Sequence, residues 1–301
     1  MRSNSKLIYH LVAFIVVAIW GSTFICTKLL LLSGLSPAQI FTLRFIIAYL
    51  LLLGYSLTRN HRWLSKAWQD EVLMLALGLM GGTIYFLTEN TAMNYTTTTN
   101  TSLIVSLSPL VAALLISLFY KSLRLNRVQT VGVLMAAVGV VVVVLNGCFV
   151  LHLSPIGDSL AFSAALCWGF YSLLMIPANM RYDTVFVTRK VFFYGLLAMI
   201  PYYLLRPEEA VIFTPAVVQY FNLSILLNLL FLGCIASMAC FLAWNWVLKK
   251  LSPVVATNYV YLNPVTTILF AWVVLSEQIT IYFILGTILI LTGMYLTEKK
   301  R

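Results

Sequence analysis

The sequence has very little charge. Only 9% of its 301 residues are Asp, Glu, Lys or Arg, against about 25% in soluble domains. Nine acidic and 19 basic residues could not form the polar surface that a soluble protein of this length needs. Because 61% of the residues are hydrophobic, most of the surface must face lipid. The composition therefore excludes a soluble protein and indicates an integral membrane protein.

Residues and motifs typical of enzymes are also scarce. The three histidines are far apart, and there is no H-E-x-x-H, G-x-G-x-x-G, P-loop or G-x-S-x-G motif. The five cysteines lie in or at the ends of apolar runs without metal-type pairing, as packing residues do. We therefore predict that the protein is not an enzyme and has no catalytic residue, cofactor or metal site.

Long apolar runs are abundant. A helix needs about 20 apolar residues to cross the hydrocarbon core of a bilayer, and runs such as Val138–Leu145 lack the alternation of β-barrel strands. The predicted fold class is an all-α polytopic membrane protein with ten transmembrane helices. The predicted spans are Leu11–Leu32, Ala38–Leu57, Val72–Met93, Thr101–Tyr120, Val128–Cys148, Ile156–Pro177, Val185–Leu205, Leu223–Val247, Pro253–Leu275 and Gln278–Thr297.

Helix-start signals support several of these boundaries. Prolines stand at or just before the starts of the second, sixth and ninth spans, where a missing N–H costs little; they are Pro37, Pro155 and Pro253. Asn126 can cap the fifth span, and the hydroxyl-rich tract Thr96–Ser102 suits a helix N-terminus.

The distribution of basic residues predicts the orientation. With the N-terminus in the cytoplasm, sixteen of the 19 Lys and Arg residues fall in inner segments, whereas only Arg206 lies in an outer loop and Lys28 and Arg44 lie inside spans. This bias follows the positive-inside rule. The net charge of +10 therefore indicates a bilayer, not nucleic acid, as the partner. We expect both termini in the cytoplasm and location in the inner (plasma) membrane.

Five features of the first half recur in order in the second half, displaced by 145 to 155 residues. They are Trp20-Gly21 with Trp168-Gly169, Arg44 with Arg189, Asn90 with Asn245, Ser106–Pro109 with Tyr261–Pro264, and Gly132 and Gly139 with Gly286 and Gly293. The predicted repeats, residues 1–148 and 149–301, each hold five spans. Because five is odd, the two copies must be inverted, an arrangement typical of secondary transporters.

These motifs resemble the drug/metabolite transporter superfamily, in its ten-span EamA-type branch, over about residues 10–297. The resemblance rests on Trp20–Phe24, Arg44-Phe45, Ala48, Ser108-Pro109, Gly132, Gly139, Gly157-Asp158, Trp168-Gly169, Tyr171, Asn263-Pro264, Glu277, Gly286 and Gly293. The family pattern ends the fourth span of each repeat with Glu; Ser122 stands there in the first repeat. The resemblance implies export or exchange of amino acids or other small metabolites without ATP.

Polar and aromatic residues predict where a transport cavity lies. Ser102 and Ser106 share one face of the fourth span, and Pro109 and Pro264 each free a carbonyl one turn earlier, near residues 105 and 260. Packing between helices is the alternative for these side chains. The expected substrate-binding residues are Trp20, Tyr85, Glu89, Ser102, Ser106, Trp168, Tyr171, Trp244, Tyr261 and Asn263.

Charges inside spans are costly unless they are paired or hydrated. Lys28 can extend towards the headgroups, whereas Arg44 and Glu89 lie deeper and could pair with each other. A substrate or proton role for Glu89 is the other possibility. We expect Glu277, at a turn, to be a cap or to be solvated.

The sequence as a whole predicts a secondary transporter, an exporter of small metabolites such as amino acids that works by alternating access. Its expected partners are a small-molecule substrate, the lipid bilayer and a candidate coupling proton. The alternatives are a membrane enzyme acting on a lipid-soluble substrate, a receptor or scaffold, and a carrier of lipophilic drugs or nucleotide sugars.

Overall fold

A computed structural model describes residues 2–58, 62–145, 154–213, 222–251, 253–275 and 280–298. Throughout these ranges the regular structure is helical, without strands. Eight helices are long and apolar enough to cross a membrane. They are α1 (Leu7–Leu32), α2 (Pro37–Thr58), α3 (Trp68–Tyr95), α4 (Asn100–Phe119), α6 (Pro155–Arg181), α7 (Thr184–Leu205), α8 (Leu223–Lys250) and α10 (Ile281–Glu298).

Besides short 3₁₀ helices at Lys121–Leu123 and Pro207–Phe213, the described chain has two further helical segments. The first is α5, Arg127–Leu145. The second, α9, consists of an α-helix over Pro253–Asn258, a 3₁₀ turn over Tyr259–Leu262 and an α-helix over Asn263–Leu275. These segments coincide with the predicted fifth and ninth spans, whose crossing of the membrane stays a prediction.

Most predicted boundaries agree with these helices to within a few residues. One difference is at α6, which continues through Pro177 to Arg181 because a long helix tolerates one proline at the cost of a single backbone hydrogen bond. The predicted end at Cys148 and start at Gln278 lie outside the described residues, as does Glu277.

The predicted helix starts are confirmed by their caps. The Gln129 N–H donates to the side chain of Asn126 at 2.9 Å, and the Asn100 N–H donates to the hydroxyl of Thr97 at 3.1 Å. Prolines open three helices, as expected. Such local contacts satisfy backbone donors that have no partner within the helix.

Two helices are interrupted at matching positions of the sequence. The helix that contains α4 begins two residues before the span, at Thr98. It is α-helical over Thr98–Val105, turns at Ser106-Leu107 and resumes over Ser108–Phe119. In α9, the 3₁₀ turn ends at Leu262, directly before Asn263-Pro264. A proline cannot donate to the carbonyl four residues earlier, and this accounts for both interruptions.

Two other helices contain π-helical turns, also at corresponding positions. The turn in α3 covers Leu79–Thr83, and that in α8 covers Phe231–Ala239. Such turns place an extra residue in the helix and rotate the following side chains onto another face. They precede two aromatic residues that contact each other, Phe86 and Phe241, whose ring centroids lie 6.3 Å apart.

The two halves of the sequence are interleaved in space. Helices α6 and α7 from the second half pack on α3, while α1 and α2 from the first half pack on α8. Glycines allow α5 to approach α10 closely: a Cβ at Gly132 would lie 2.6 Å from the Gly293 carbonyl oxygen, and one at Gly139 would lie 2.7 Å from that of Gly286. The two helices therefore pack with their backbones in close contact at these glycines.

Candidate functional site

A cavity of about 30 Å³ lies between α1, α2, α3, α4, α6, α8 and α9. A buried water needs roughly 10–15 Å³ measured in this way, so the cavity has room for about two water molecules. It is lined by Trp20, Thr23, Phe24, Arg44, Tyr85, Phe86, Glu89, Val105, Ser108, Trp168, Phe241, Val260 and Asn263. All seven helices therefore meet at one small central space.

Aromatic rings from both halves form much of the cavity wall. Trp20 and Trp168 meet edge to face, with ring centroids 5.3 Å apart, and Phe241 contacts both of them. The Trp20 indole N–H donates to the Ala236 carbonyl at 2.9 Å, which fixes that ring. Edge-to-face contacts between aromatic rings are favourable, so they stabilise this wall.

The helix interruptions contribute a second part of the lining. Val105 and Ser108 flank the break in α4. In α9, Val260 lies within the 3₁₀ turn and Asn263 directly follows it. Each pair corresponds to the other at an offset of 155 residues. Irregular backbone is tolerated within a membrane where it is buried or lines a cavity, and both breaks lie at this cavity.

The prediction that the proline in α9 leaves a backbone carbonyl without a donor is wrong. The carbonyl near residue 260 was expected to be free, but the N–H of Asn263 donates to the Val260 carbonyl. The 3₁₀ turn provides this donor because its hydrogen bonds span three residues instead of four.

The charged residues in the lining are Arg44 and Glu89. Arg44 is 2% exposed; its Nε donates to the Ser237 hydroxyl at 2.9 Å, and its guanidinium lies over the Phe86 ring, 4.4 Å from the centroid. Glu89 is 8% exposed and accepts a hydrogen bond from the Tyr85 hydroxyl at 2.7 Å.

The possible Arg44–Glu89 ion pair is not formed. Ion pairs in the described part of the chain join other residues, and both charges have neutral partners instead. The two residues face the same cavity from α2 and α3 without touching. Lys28, the third charge within a span, donates to the Met93 carbonyl at 2.9 Å, near the last turn of α3.

Five of the ten predicted site residues line the cavity: Trp20, Tyr85, Glu89, Trp168 and Asn263. The other five are buried outside the lining: Ser102, Ser106, Tyr171, Trp244 and Tyr261. Two of these support the aromatic wall from behind. Tyr171 stacks on Trp168 with centroids 5.2 Å apart, and the centroid of Trp244 lies 5.2 Å from that of Trp20.

Several lining residues were not in the predicted set. Phe86 and Phe241 resemble ordinary core aromatics, although their spacing of 155 residues matches the repeat. The other residues missed were Thr23, Phe24, Arg44, Val105, Ser108 and Val260. Val105 and Val260 could have been found, because each stands four residues before a proline that occurs in both halves of the sequence, Pro109 or Pro264.

Many buried polar atoms around this region have no hydrogen-bond partner within the described chain. They include the hydroxyls of Ser102, Ser106, Ser108 and Tyr261, the indole N–H groups of Trp168 and Trp244, and Oδ1 of Asn263. A buried polar group without a partner is costly. Interhelical hydrogen bonding, the packing alternative for the serines, therefore does not account for them.

The side chains that line the cavity are suited to binding a small molecule. Among the residues described, no three His, Cys, Asp or Glu side chains lie together as a metal site would require. The Tyr171 hydroxyl, which lies behind the wall, is engaged by Asn245 at 2.6 Å. The lining offers a small molecule aromatic rings, hydroxyls and two opposite charges.

Comparisons with known proteins agree with this picture. The EamA-like transporter family model matches residues 7–145 and 155–298. An uncharacterized transporter of Archaeoglobus fulgidus is 29% identical over 99% of both chains. A probable amino-acid metabolite efflux pump of Salmonella typhimurium is 26% identical over 94% of this chain and 92% of its own.

A solved structure supports the fold independently. A crystal structure covering 96% of both chains superposes with a TM-score of 0.78 at 21% sequence identity. The family match extends over nearly the whole chain, including all the helices that form the cavity. The protein is a multi-pass membrane protein, and the chain belongs to the EamA-like transporter family.

Proposed function

We propose that the protein is a secondary transporter that exports small metabolites such as amino acids, with the central cavity as its substrate site. The observation that carries this proposal is the cavity's position at both helix breaks, with lining residues from both halves of the sequence. Binding near the midplane between repeated halves is typical of secondary transporters. The lining offers polar partners and charge but no catalytic group.

The proposed architecture is ten transmembrane helices in two inverted repeats, residues 1–148 and 149–301. Equivalent residues of the two halves occur as pairs around the cavity; they are Trp20 with Trp168, Phe86 with Phe241, Val105 with Val260, and Ser108 with Asn263. One unit used in two opposite orientations gives inward-open and outward-open states of similar energy. This supports alternating access as the mechanism.

The cavity's size supports the same mechanism. At about 30 Å³ it is far below the roughly 300–1,000 Å³ of typical ligand pockets. The helices must therefore separate before a metabolite can enter. We propose that the structure is an occluded state between two open ones.

The proposed orientation places both termini in the cytoplasm and the protein in the inner (plasma) membrane. It rests on the excess of Lys and Arg in the segments assigned to the inner side. Export is favoured over uptake by the efflux-pump relatives of Salmonella typhimurium and Escherichia coli. Coupling to a proton stays a prediction, which a pH gradient imposed across liposomes would test.

The proposal is tested with purified protein in liposomes. Vesicles loaded with an unlabelled mixture of amino acids, organic acids, amines and nucleosides are diluted into the same mixture carrying isotope labels. We expect exchange of at least one component, detected by mass spectrometry. Ser108→Trp should abolish it, because a large ring would fill the cavity; Val138→Trp, at a position 56% exposed on α5, should not.

Two results would contradict the proposal. One is exchange of no component above protein-free vesicles by protein that is monodisperse in detergent. The other is full exchange by Ser108→Trp, which would place the pathway elsewhere.

A further inference from the structure

Hydrogen bonds join three of the helices around the cavity into one group. At one end of α6, the hydroxyl of Tyr182, which directly follows the helix, donates to Asp70 on α3 at 2.7 Å. At the other end, the amide of Asn100 on α4 donates to Asp158 on α6 at 2.9 Å. Because α6 is bound at both of its ends, α3, α4 and α6 form one group, here called the first group.

Three other helices around the cavity form a second group, which consists of α1, α8 and α9. The indole N–H of Trp20 on α1 donates to the Ala236 carbonyl on α8. Near the start of α1, the His10 ring shares a hydrogen bond of 2.8 Å with the hydroxyl of Tyr259 on α9. All six helices contribute side chains to the cavity lining, so the cavity lies between the first group and the second group.

Two lysines of the second group donate hydrogen bonds to the first group. Nζ of Lys28 on α1 donates to the Met93 carbonyl, near the end of α3, at 2.9 Å. Nζ of Lys249, near the end of α8, donates to the Tyr182 carbonyl at 2.8 Å. An ammonium group is a favourable donor at these places, because the last carbonyls of a helix lack partners within it and lie at the negative end of the helix dipole.

The two lysine contacts lie at opposite ends of α3. Met93 is near the end of this helix, whereas Tyr182 is bonded to Asp70, near its start. From Asp70 to Met93 the helix advances by roughly 35 Å at its rise of about 1.5 Å per residue, which is comparable with the hydrocarbon thickness of a bilayer. Each lysine therefore joins the two groups at a different face of the membrane.

One further hydrogen bond joins the two groups within the described chain. The Tyr171 hydroxyl on α6 donates to Asn245 on α8 at 2.6 Å. Asn245 precedes Lys249 by about one helical turn, so both bonds lie towards the same end of α8. The groups are thus joined by one hydrogen bond at the Lys28 end and by two at the Lys249 end.

We infer that Lys28 and Lys249 are gating residues for the central cavity. When the two groups separate at one membrane face, the lysine at that face releases its carbonyl, while the other lysine holds the opposite face closed. In the proposed orientation, Lys28 closes the outer face and Lys249 closes the cytoplasmic face. The inference rests on the proposed function, since it names the residues that control access to the same site.

The test measures from which side the cavity can be reached. Ser108→Cys, in a cysteine-free background, provides a thiol in the cavity lining, and an impermeant methanethiosulfonate is added to right-side-out and to inside-out membrane vesicles. The quantity compared is the rate of modification from outside divided by the rate from inside. Both open states exchange with the same closed state, so this ratio reports their relative populations.

Removal of one lysine should change the ratio in a direction set by the position of that lysine. One hydrogen bond typically changes an equilibrium constant by roughly two- to tenfold. Lys28→Met should therefore raise the ratio by about fivefold, and Lys249→Met should lower it by about twofold. The second effect is smaller because Lys249 is exposed and the bond between Tyr171 and Asn245 remains. Tyr171→Phe, which removes that bond, should also lower the ratio.

Matched variants separate gating from a general loss of stability. Lys250→Met is the control for Lys249→Met, because Lys250 is also exposed and has no hydrogen bond or ion pair with the described residues; it should leave the ratio unchanged. Lys28→Arg keeps a charged donor and should retain most of the wild-type ratio. In the double variant Lys28→Met/Lys249→Met, the two opposite shifts should partly cancel. A loss of stability alone would raise both rates together and leave their ratio near the wild-type value.

The inference is overturned if Lys28→Met and Lys249→Met both give the ratio of Lys250→Met, or if both change it in the same direction. Lys28→Ala and Lys249→Ala remove the same bonds and are measured under the same criterion where a Met variant does not reach the membrane. If the parent Ser108→Cys protein is modified from both sides in that case, the inference fails while the transporter proposal stands. If the parent is modified from one side alone or from neither, both fail.

Discussion

Gly81→Ala should destabilise the contact between α3 and α6 that supports the cavity wall. Gly81 lies in the π-helical turn of α3, and a Cβ added there would lie 2.3 Å from Cδ2 of the Tyr171 ring. Tyr171 in turn stacks on Trp168 and donates to Asn245. The ring is therefore held on two sides and cannot move away freely.

The expected cost follows from this overlap. Overpacking a well-packed site by one methyl group costs about 1–3 kcal/mol, whereas Gly→Ala within an ordinary helix is favourable by about 0.5–1 kcal/mol. We expect the first effect to dominate at Gly81. Gly54→Ala is the matched control, since a Cβ at that helical position meets nothing within 4 Å, and its stability should be unchanged or slightly raised.

The assay is unfolding of purified protein by sodium dodecyl sulfate in mixed micelles, followed by circular dichroism. Because replacing Tyr171 by Ala removes the ring, the double variant Gly81→Ala/Tyr171→Ala should be no less stable than Tyr171→Ala alone. Equal stabilities of Gly81→Ala and Gly54→Ala would refute the reasoning, and so would strictly additive losses in the double variant.

The contact between α5 and α10 gives another prediction. Gly139→Leu should lower the free energy of unfolding by more than Gly81→Ala in the same assay. The reason is that the added side chain meets backbone: the Gly286 carbonyl oxygen would lie 2.7 Å from the new Cβ. The orientation gives a third: in a cysteine-free background, Ser33→Cys should react with an impermeant thiol reagent added to intact cells, and Leu64→Cys should not. Labelling of Leu64→Cys alone would reverse the proposed topology.

Local features of the fold could be predicted from the sequence because their causes are local. The length of the apolar runs in the sequence indicates where the helices lie. The side chains of Thr97 and Asn126 cap the two helices at the places where hydroxyl and amide residues suggested a start. Pro109 and Pro264 mark the two helix breaks because each lacks the N–H that a continuous helix needs at that point.

The cavity lining was harder to predict because the helices that form it are not regular. Ser102 and Ser106 were placed on a cavity-facing side by assuming a continuous helix, but the turn at Ser106-Leu107 changes the direction of the next residues and brings Ser108 to the cavity. In α8 the π-helical turn shifts the faces that follow it, so Phe241 rather than Trp244 lines the site. Predicting which face of a helix a residue occupies requires a constant number of residues per turn, and that number changes at these turns.

The separation of Arg44 and Glu89 could not be read from the sequence either. Similar depth in neighbouring spans suggested a pair, but depth does not specify which way each side chain turns. Ser237 and Tyr85, which hold the two charges, come from α8 and from the preceding turn of α3 respectively. Only the packing of α8 against α2 brings the Ser237 hydroxyl to Arg44.

Accessibility of a single cysteine in place of Ser108 tests the central claim most directly, since it requires no knowledge of the substrate. Ser108 is fully buried in the cavity lining, and the cavity of about 30 Å³ is too small for a thiol reagent in the present state. In a cysteine-free background, an impermeant methanethiosulfonate is added to right-side-out and to inside-out membrane vesicles. Alternating access predicts modification of Ser108→Cys from both sides, with Val138→Cys as the lipid-facing control that stays unmodified. Modification from neither side, or from one side alone, would contradict the account.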